Sequence, residues 1–529
     1  MNKQPDNTAD SSHTKVTRKV SVAVIGAGTA GQNAFRQARK LKDDVIIIND
    51  GFWTTTCIAV GCMPSKLLIA AADRAHEANH SGEFGVHASA RIDGKQVMAR
   101  VRAERDHFAS YVEEQVESWP AETKIAGRAY INEQGLIEVN NELIEADKII
   151  VATGSSTFIP EGWADKLGDT MLTSDTVFEL TDLPKSLAVV GAGAIGLELA
   201  QAFKRLGVDV TLFNRVKRVA SLKDDDINNK AIDCLNCELT MHLGSNITEV
   251  GTQANAGDKG SVVFIEYEDS AGQTQQWQGE YVLVATGRRN NIDELGVENL
   301  GVELDDKNRP KQLDKKTGKI GDLEVYIVGD ANANLPLLHV ASDEGFSAGS
   351  LVCDNKTDAY IRPPATPFSI VFCAPQIVNV GMSLPEIQAD SELEHVIGKV
   401  SFDNQGRSRV MGVNCGLLHI YGCKKTDRIL GASMVGPDAE YIGHILAMAI
   451  TNDLSIKDML DTPFYHPTIL EGLRTALRDV QRMMKIPYQS HDTKKAIFKY
   501  LLLTRSAAMF FNKIMLRRFD LYHLKLALK

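Results

Sequence analysis

Apolar positions along the chain follow two alternating patterns. Short unbroken runs at Lys19–Ile25, Val45–Ile48, Ile149–Ala152, Leu187–Val190, Val208–Phe213 and Val325–Val328 predict strands buried on both faces of parallel sheets. Between them lie stretches of helical periodicity, Gln32–Leu41 and Leu197–Leu206, and a helical, charge-rich region reaching about Pro120. The order strand, helix, strand occurs twice, which predicts two βαβ units. From about Pro363 the pattern changes. Strand-like runs at Phe368–Phe372, Val396–Phe402, Val410–Val413 and Leu417–Tyr421 alternate with turns, and helices follow at Ala439–Ile450 and Thr468–Met484. That region predicts a separate α+β domain.

The turns after the first strands sharpen this picture. Gly26-Ala-Gly28-Thr-Ala-Gly31 opens one unit and Gly191-Ala-Gly193-Ala-Ile-Gly196 the other. Glycines at this spacing make a tight turn and let backbone approach a pyrophosphate, which the helix N-terminus then binds through its N–H groups. The units close on Ala152-Thr-Gly154 and Ala285-Thr-Gly287. The fold class expected is α/β, with two Rossmann-like dinucleotide-binding domains plus the C-terminal α+β domain. Two such folds in one chain predict two dinucleotides, one passing electrons to the other. An acid about twenty positions on should bind a ribose hydroxyl. In the first unit Asp50 is the candidate, with Asn49 competing for the spot. The second unit has Phe213-Asn214-Arg215, then Lys217 and Arg218. Losing the carboxylate and adding cations suits a 2′-phosphate, hence NADPH; solvated surface charge is the alternative. Gly196 as third glycine is more usual for NAD, so the signals conflict.

The stretch Thr56-Cys57-Ile-Ala-Val-Gly-Cys62-Met-Pro64-Ser-Lys66 precedes a helical run. Pro64 suits a first helical turn, where its missing N–H costs nothing. Cys62 then lies near a helix N-terminus, which favours a thiolate, and Cys57 lies on the approach. Two thiols so placed can close into a disulfide and reopen; two buried structural cysteines are the other reading.

Composition narrows the class. A chain of 529 residues is expected to form two to four domains. Its net charge of −10 argues against a general nucleic-acid binder. Eight cysteines in this length fit a reducing cytosol, any reactive pair being catalytic. Cys234-Leu-Asn-Cys237 has no second ligand pair at zinc spacing and is expected to be structural, with no metal site. Cys353, Cys373, Cys415 and Cys423 are expected to be core or incidental. Residues 1–19 are polar, lack the apolar core of a signal peptide, and predict a disordered lead-in. No run of about eighteen apolar residues occurs, so no transmembrane helix is expected.

The chain resembles the flavin-dependent pyridine nucleotide–disulfide oxidoreductases (class I), dihydrolipoamide dehydrogenases most closely. The likeness runs from about Val20 to Met484. It rests on Cys57-x4-Cys62-x-Pro-Ser-Lys66, both glycine fingerprints, both Ala-Thr-Gly turns, Gly329-Asp330 and Phe464-Tyr-His466-Pro-Thr-Ile-Leu-Glu471. It implies an FAD domain at 20–155 and 291–362, an NAD(P) domain at 156–290 and a dimerisation domain at 363–484. Gly26, Gly28, Gly31, Asp50, Gly154 and Asp330 would then hold FAD. Gly191, Gly193, Gly196, Asn214, Arg215 and Gly287 would hold NAD or NADP. Lys66, paired with Glu198, would sit near flavin N5. Cys62 would be the charge-transfer thiol and Cys57 the interchange thiol. His466, oriented by Glu471, would be the acid–base supplied by the other subunit of a homodimer. Thr54-Thr55-Thr56 replaces the family's usual Gly-Gly-Thr, and Phe464 replaces a common histidine.

The resemblance implies electron transfer between a dihydrolipoyl dithiol, on a lipoyl-bearing protein or a small molecule, and NAD(P) in the cytoplasm. An NADPH-dependent, glutathione-reductase-like enzyme acting on a small disulfide is the alternative. A membrane-tethered flavoprotein redox sensor or subunit is a third reading, from the basic extension 485–529. Its Phe511, Met515, Phe519 and Tyr522 fall on one helical stripe, which suits an anionic membrane, a partner, or the chain's own dimer. No cysteine follows Cys423, which argues against a C-terminal redox centre.

Overall fold

The structure is a computed structural model that describes residues 16–254, 261–352 and 360–484. Most of the 1–19 lead-in, Cys353 and the 485–529 extension lie outside the described residues. The chain divides into two units, Met1–Val480 and Gln481–Lys529, and the first carries every described sheet.

In the first sheet the strands run in the order Lys124–Ala126, Val45–Asn49, Arg18–Ile25, Glu142–Val151, Ile137–Val139, Tyr130–Ile131, with Val325–Ile327 added against Glu142–Val151. The Arg18–Ile25 strand is parallel to both neighbours, with Val22 opposite Val45 on one side and Lys148 on the other. Parallel pairing brings four strand ends to one edge: Ile25, Asn49, Val151 and Ile327. The first glycine turn, Asp50, Ala152-Thr-Gly154 and Gly329-Asp330 therefore meet there, where open α/β sheets bind ligands. The second parallel sheet repeats the arrangement, in the order Thr240–Leu243, Asp209–Asn214, Ser186–Val190, Tyr281–Val284, Met171–Leu172. Gly191, Asn214 and Ala285-Thr-Gly287 share its carboxyl edge. A five-stranded sheet forms the third domain, in the order Phe368–Val371, Gln376–Gly381, Ile429–Gly436, Leu417–Cys423, His395–Ser401.

One apolar cluster joins the three domains. Leu68, Ala72 and Ala75 of the helix Cys62–His80 pack with Leu199, Ala202 and Phe203 of the helix Ala194–Arg205, and with Val371, Ile377 and Val435 of the third domain. Arg205 fastens the same junction through Asp73 at 2.6 Å and Glu238 at 2.7 Å. By length and hydropathy alone the stretch Thr56–Phe84 passes for a membrane span; here it carries Cys57 and Cys62 and packs in this core.

The structure differs from the sequence expectation in four places. Both fingerprint helices start three residues early, at Thr29 and Ala194. Each opens directly from its middle glycine, so the third glycine falls inside the first turn. Periodicity sees only the first apolar residues after it. Val410–Val413 is not a strand: Val410 ends a short helix Gly406–Val410, capped by Gln405, and an exposed turn follows. A short apolar run does not distinguish strand from exposed turn. The strands Gln376–Gly381 and Ile429–Gly436, central in the third sheet, were not foreseen. Finally, Cys415 is not incidental. It is bridged to Cys234, 181 residues away, in the one disulfide among the described residues.

Candidate active site

Thr55 caps the four-residue helix Thr56–Ala59, which holds Cys57, and the helix Cys62–His80 begins at Cys62 with Pro64 in its first turn. Gly61 lets the two segments close together, since a Cβ there would come within 2.9 Å of the Thr56 carbonyl oxygen. Cys57 is half-buried and Cys62 exposed, both as free thiols. The hydrogen bond from the Cys57 thiol, with the Lys66 cation behind it, holds Cys62 down to about 6 against the desolvation that the surrounding protein imposes even on this solvent-reached thiol. That same bond pushes Cys57 up, as does its burial. The proton stays on Cys57, and Cys62 is the thiolate of the pair.

Lys66 Nζ lies 2.7 Å from Glu198 Oε2 and 4.5 Å from the centre of the Phe372 ring. Glu198, buried, spends its other oxygen on the Phe372 backbone N–H at 2.9 Å. Packing of the Cys62–His80 helix on the Ala194–Arg205 helix sets this pair, so three domains fix one ammonium beside the thiols.

The thiols, Lys66 and Glu198 line a cavity of about 400 Å³ with Gly28, Gly154, Ser155, Arg288 and Asp330. Asp330 accepts from Ser155 Oγ at 2.7 Å, and Arg288 Nε donates to that hydroxyl at 2.8 Å. Behind Asp330, Glu344 accepts from Gly329 N at 2.7 Å and Asn332 Nδ2 at 2.8 Å; burial pushes its carboxyl up to about 7. An adjoining cavity of about 590 Å³ is lined by Gly26, Asn49, Asp50, Arg128 and Asp293.

The glycine cradle tests whether a dinucleotide fits. Gly26 sits at φ +102°, and a Cβ on Gly31 would stand 1.8 Å from the Gly26 carbonyl oxygen. Those two glycines are required by the protein itself. Gly28 faces open space, with nothing within 4 Å of where its Cβ would be. A bare backbone left facing a cavity is what a pyrophosphate needs. Gly191, Gly193 and Gly196 repeat all three features: φ +114°, open space, and a would-be contact at 1.9 Å. Both cradles fit a dinucleotide.

Asn49 holds the end of its strand, accepting from Ala27 N at 3.0 Å and donating to Gly51 O and Phe52 O. Asn214 does the same in the second unit, accepting from Ala192 N at 3.2 Å and donating to Val216 O and Arg218 O. Each asparagine braces its glycine turn, a role the sequence reading missed. Asp50 lies one residue beyond, exposed at the second cavity. A third cavity, about 1130 Å³, is lined by Gly191, Gly193, Asn214, Arg215, Lys217, Arg218, Lys223 and Gly287.

His466 lies apart from the thiols. Its Nδ1 is 3.1 Å from each oxygen of Glu471, whose carboxyl that hydrogen bond holds low. The imidazole is 81% exposed and lines none of the three cavities. Within one chain the structure does not bring His466 to Cys57. The sequence reading also passed over Ser155, Arg288 and Phe372, which carry no motif and act through position alone.

The profile of the pyridine nucleotide-disulphide oxidoreductase family matches residues 20–345, and that of the family's dimerisation domain residues 367–477. The chain is 30% identical over 469 residues to a dihydrolipoyl dehydrogenase of Haloferax volcanii, covering 86% of this chain and 94% of the relative. It is 29% identical to one of Bacillus subtilis, covering 87% and 98%. Two solved structures share the fold. LpdA from Mycobacterium tuberculosis has a TM-score of 0.71 at 24% identity, covering 87% of this chain and 99% of that one. A Cu(II) complex of the HOCl-induced flavoprotein disulfide reductase RclA from Escherichia coli also scores 0.71, at 22% identity, covering 88% and 99%. With both glycine cradles in place, the chain belongs to the pyridine nucleotide-disulphide oxidoreductase family and is an FAD- and NAD(P)-dependent enzyme.

Proposed function

We propose that this enzyme carries two electrons between a dihydrolipoyl-type dithiol and NAD(P)+, as a homodimer in the cytoplasm. The observation that carries the reading is the single cavity shared by Cys57, Cys62, Lys66, Glu198, Gly28 and Asp330. Gly26, Gly28, Gly31, Gly154 and Asp330 would hold FAD, with Asp50 toward its ribose. FAD, when bound, supplies two-electron exchange between the nucleotide and the thiols. In the oxidised enzyme the dithiol's first thiolate attacks Cys57 of the Cys57–Cys62 disulfide to form the mixed disulfide, and Cys62 leaves as a thiolate. The dithiol's second thiolate then releases Cys57, and the substrate departs as a disulfide. Lys66 keeps negative charge favourable on the Cys62 side of the cavity. The exposed His466 would come from the partner subunit. Its Nδ1–H points to Glu471, which leaves Nε2 to take the proton from an incoming thiol. Glu471 fixes that tautomer and stabilises the imidazolium.

A second reading, an NADPH-dependent reductase of a small disulfide, is favoured by Arg215 and Lys217 in the third cavity. These cations, beside an Asn214 occupied in bracing the turn, suit a 2′-phosphate. Anaerobic titration with NADH and NADPH, followed by turnover with lipoamide and glutathione disulfide, separates the two. Faster turnover of lipoamide is expected; faster turnover of glutathione disulfide would replace the first reading with the second.

A further inference from the structure

The helix Asp225–Asn236 belongs to the second dinucleotide unit, yet it is held at both ends by the third domain. At its N-terminus Asp224 caps the helix with one oxygen, accepting from Asp226 N and Ile227 N. The other oxygen, buried, accepts from Tyr421 OH at 2.8 Å and faces His419 Nδ1 at 2.7 Å. Lys399 pairs with Asp226 at 2.7 Å and Lys230 with Asp403 at 2.8 Å. Near its C-terminus the Cys234–Cys415 bridge joins the helix to the third domain, with Cα atoms 6.1 Å apart. Cys237, three residues on, is exposed and unbridged.

The first turns of this helix shape the wall of the third cavity. Asn228 accepts from Val219 N at 3.0 Å and donates to Lys217 O at 3.2 Å, and Asp225 pairs with Arg218 at 2.5 Å. Asp225, Asn228 and Asn229 line the cavity with Arg215 and Lys217. One rigid element thus connects a sulfur–sulfur bond to the basic segment facing the nucleotide.

We propose that Cys234 and Cys415 form a second thiol–disulfide site, a latch whose substrate is a small vicinal dithiol and whose state sets affinity for the pyridine nucleotide. The coupling rests on the reading of the third cavity as the nucleotide pocket. One thiolate of the dithiol attacks the Sγ of Cys415, the half-buried partner, and Cys234 leaves as a thiolate. The second thiol then attacks the mixed disulfide and releases Cys415. The dithiol becomes a cyclic disulfide, and its two protons end on Cys234 and Cys415. A bridge of this kind in a reducing cytosol is more often redox-sensing than structural. Opening it leaves the Asp224, Asp226 and Lys230 contacts, so affinity falls without being lost.

The test begins with full-length Cys57→Ser/Cys62→Ser protein purified without reductant. Of eight cysteines it retains six, and four should react in denaturant before dithiothreitol and six after, with peptide mapping giving Cys234 joined to Cys415. Six reactive thiols at the start, or a bridge between other cysteines, overturns the site. In otherwise wild-type enzyme, Cys415→Ser should raise KM for the preferred reduced nucleotide about fivefold, read with an artificial electron acceptor and no dithiol present, at the low end of site-to-site coupling. The rate at which dihydrolipoamide bleaches the flavin should not change. Wild-type enzyme opened with dithiothreitol and then freed of it should show the same KM, which covers the case of a variant that fails to fold. An unmoved KM in both overturns the coupling. If the pocket reading is what fails, Arg215→Glu will leave KM unmoved while the thiol count stands.

Discussion

Beside the hydrogen bond from Cys57, the Lys66 cation lowers Cys62 and the Glu198 carboxylate raises it, and both charges can be removed. Cys62 in reduced protein, held down to about 6, should reach nearly its full alkylation rate with iodoacetamide by pH 7. An ordinary thiol would still be accelerating at about pH 8.5. The folded value lies below the unfolded one. The thiolate therefore stabilises reduced protein fully only above about pH 8.5, and that contribution is lost as pH falls through about 6. Lys66→Met removes a cation that favours the thiolate, and the alkylation midpoint should move up. Glu198→Gln removes a carboxylate that opposes it, and the midpoint should move down. Opposite shifts from two members of one ion pair are the signature; equal shifts would mean a packing effect. Lys66→Met also strands a buried carboxylate and should cost about 2–3 kcal/mol in denaturant unfolding, less than for a fully buried pair because Lys66 is partly exposed.

At the scale of the element, the two glycine turns separate what folding needs from what the ligand needs. Gly31→Ala would drive a methyl into the Gly26 carbonyl, and both the stability of the apoprotein and flavin retention should fall. Gly28→Ala meets nothing in the protein, so the apoprotein should melt within about 1 kcal/mol of wild type while losing flavin. Flavin content and apoprotein Tm, measured on both variants, check the distinction. These turns were legible in the sequence because a buried strand, fixed glycine spacing and a helix leave one local solution. The flanking boundaries were less so, since Thr29 and Ala194 precede the first residue that periodicity can register. Asn49 and Asn214 were read for what they would offer a ribose, whereas both spend their amides on backbone. Val410–Val413 misled because four residues carry too little pattern to choose between strand and turn.

For the whole molecule, what the sequence left unread is mostly contact between domains. The Cys234–Cys415 bridge spans 181 residues, and no spacing rule links positions so far apart. On the proposed function His466 poses the same problem across a subunit boundary: motif and Glu471 partner were legible, but its place relative to Cys57 would depend on a second chain. That dependence makes a prediction. Cys57→Ser and His466→Gln should each lower dithiol-driven turnover by about 10²-fold or more. In a twofold dimer whose sites each take Cys57 from one chain and His466 from the other, a mixed dimer has one site with both lesions and one with neither. Unfolding and refolding an equal mixture should therefore restore about a quarter of wild-type activity, since about half the dimers are mixed and each has one intact site of two. If His466 instead served the thiols of its own chain, every site in every dimer would keep one lesion and the mixture would stay as inactive as its parents. Nucleotide-driven reduction of an artificial acceptor, which uses neither residue, should be unaffected in all three preparations and reports that refolding succeeded.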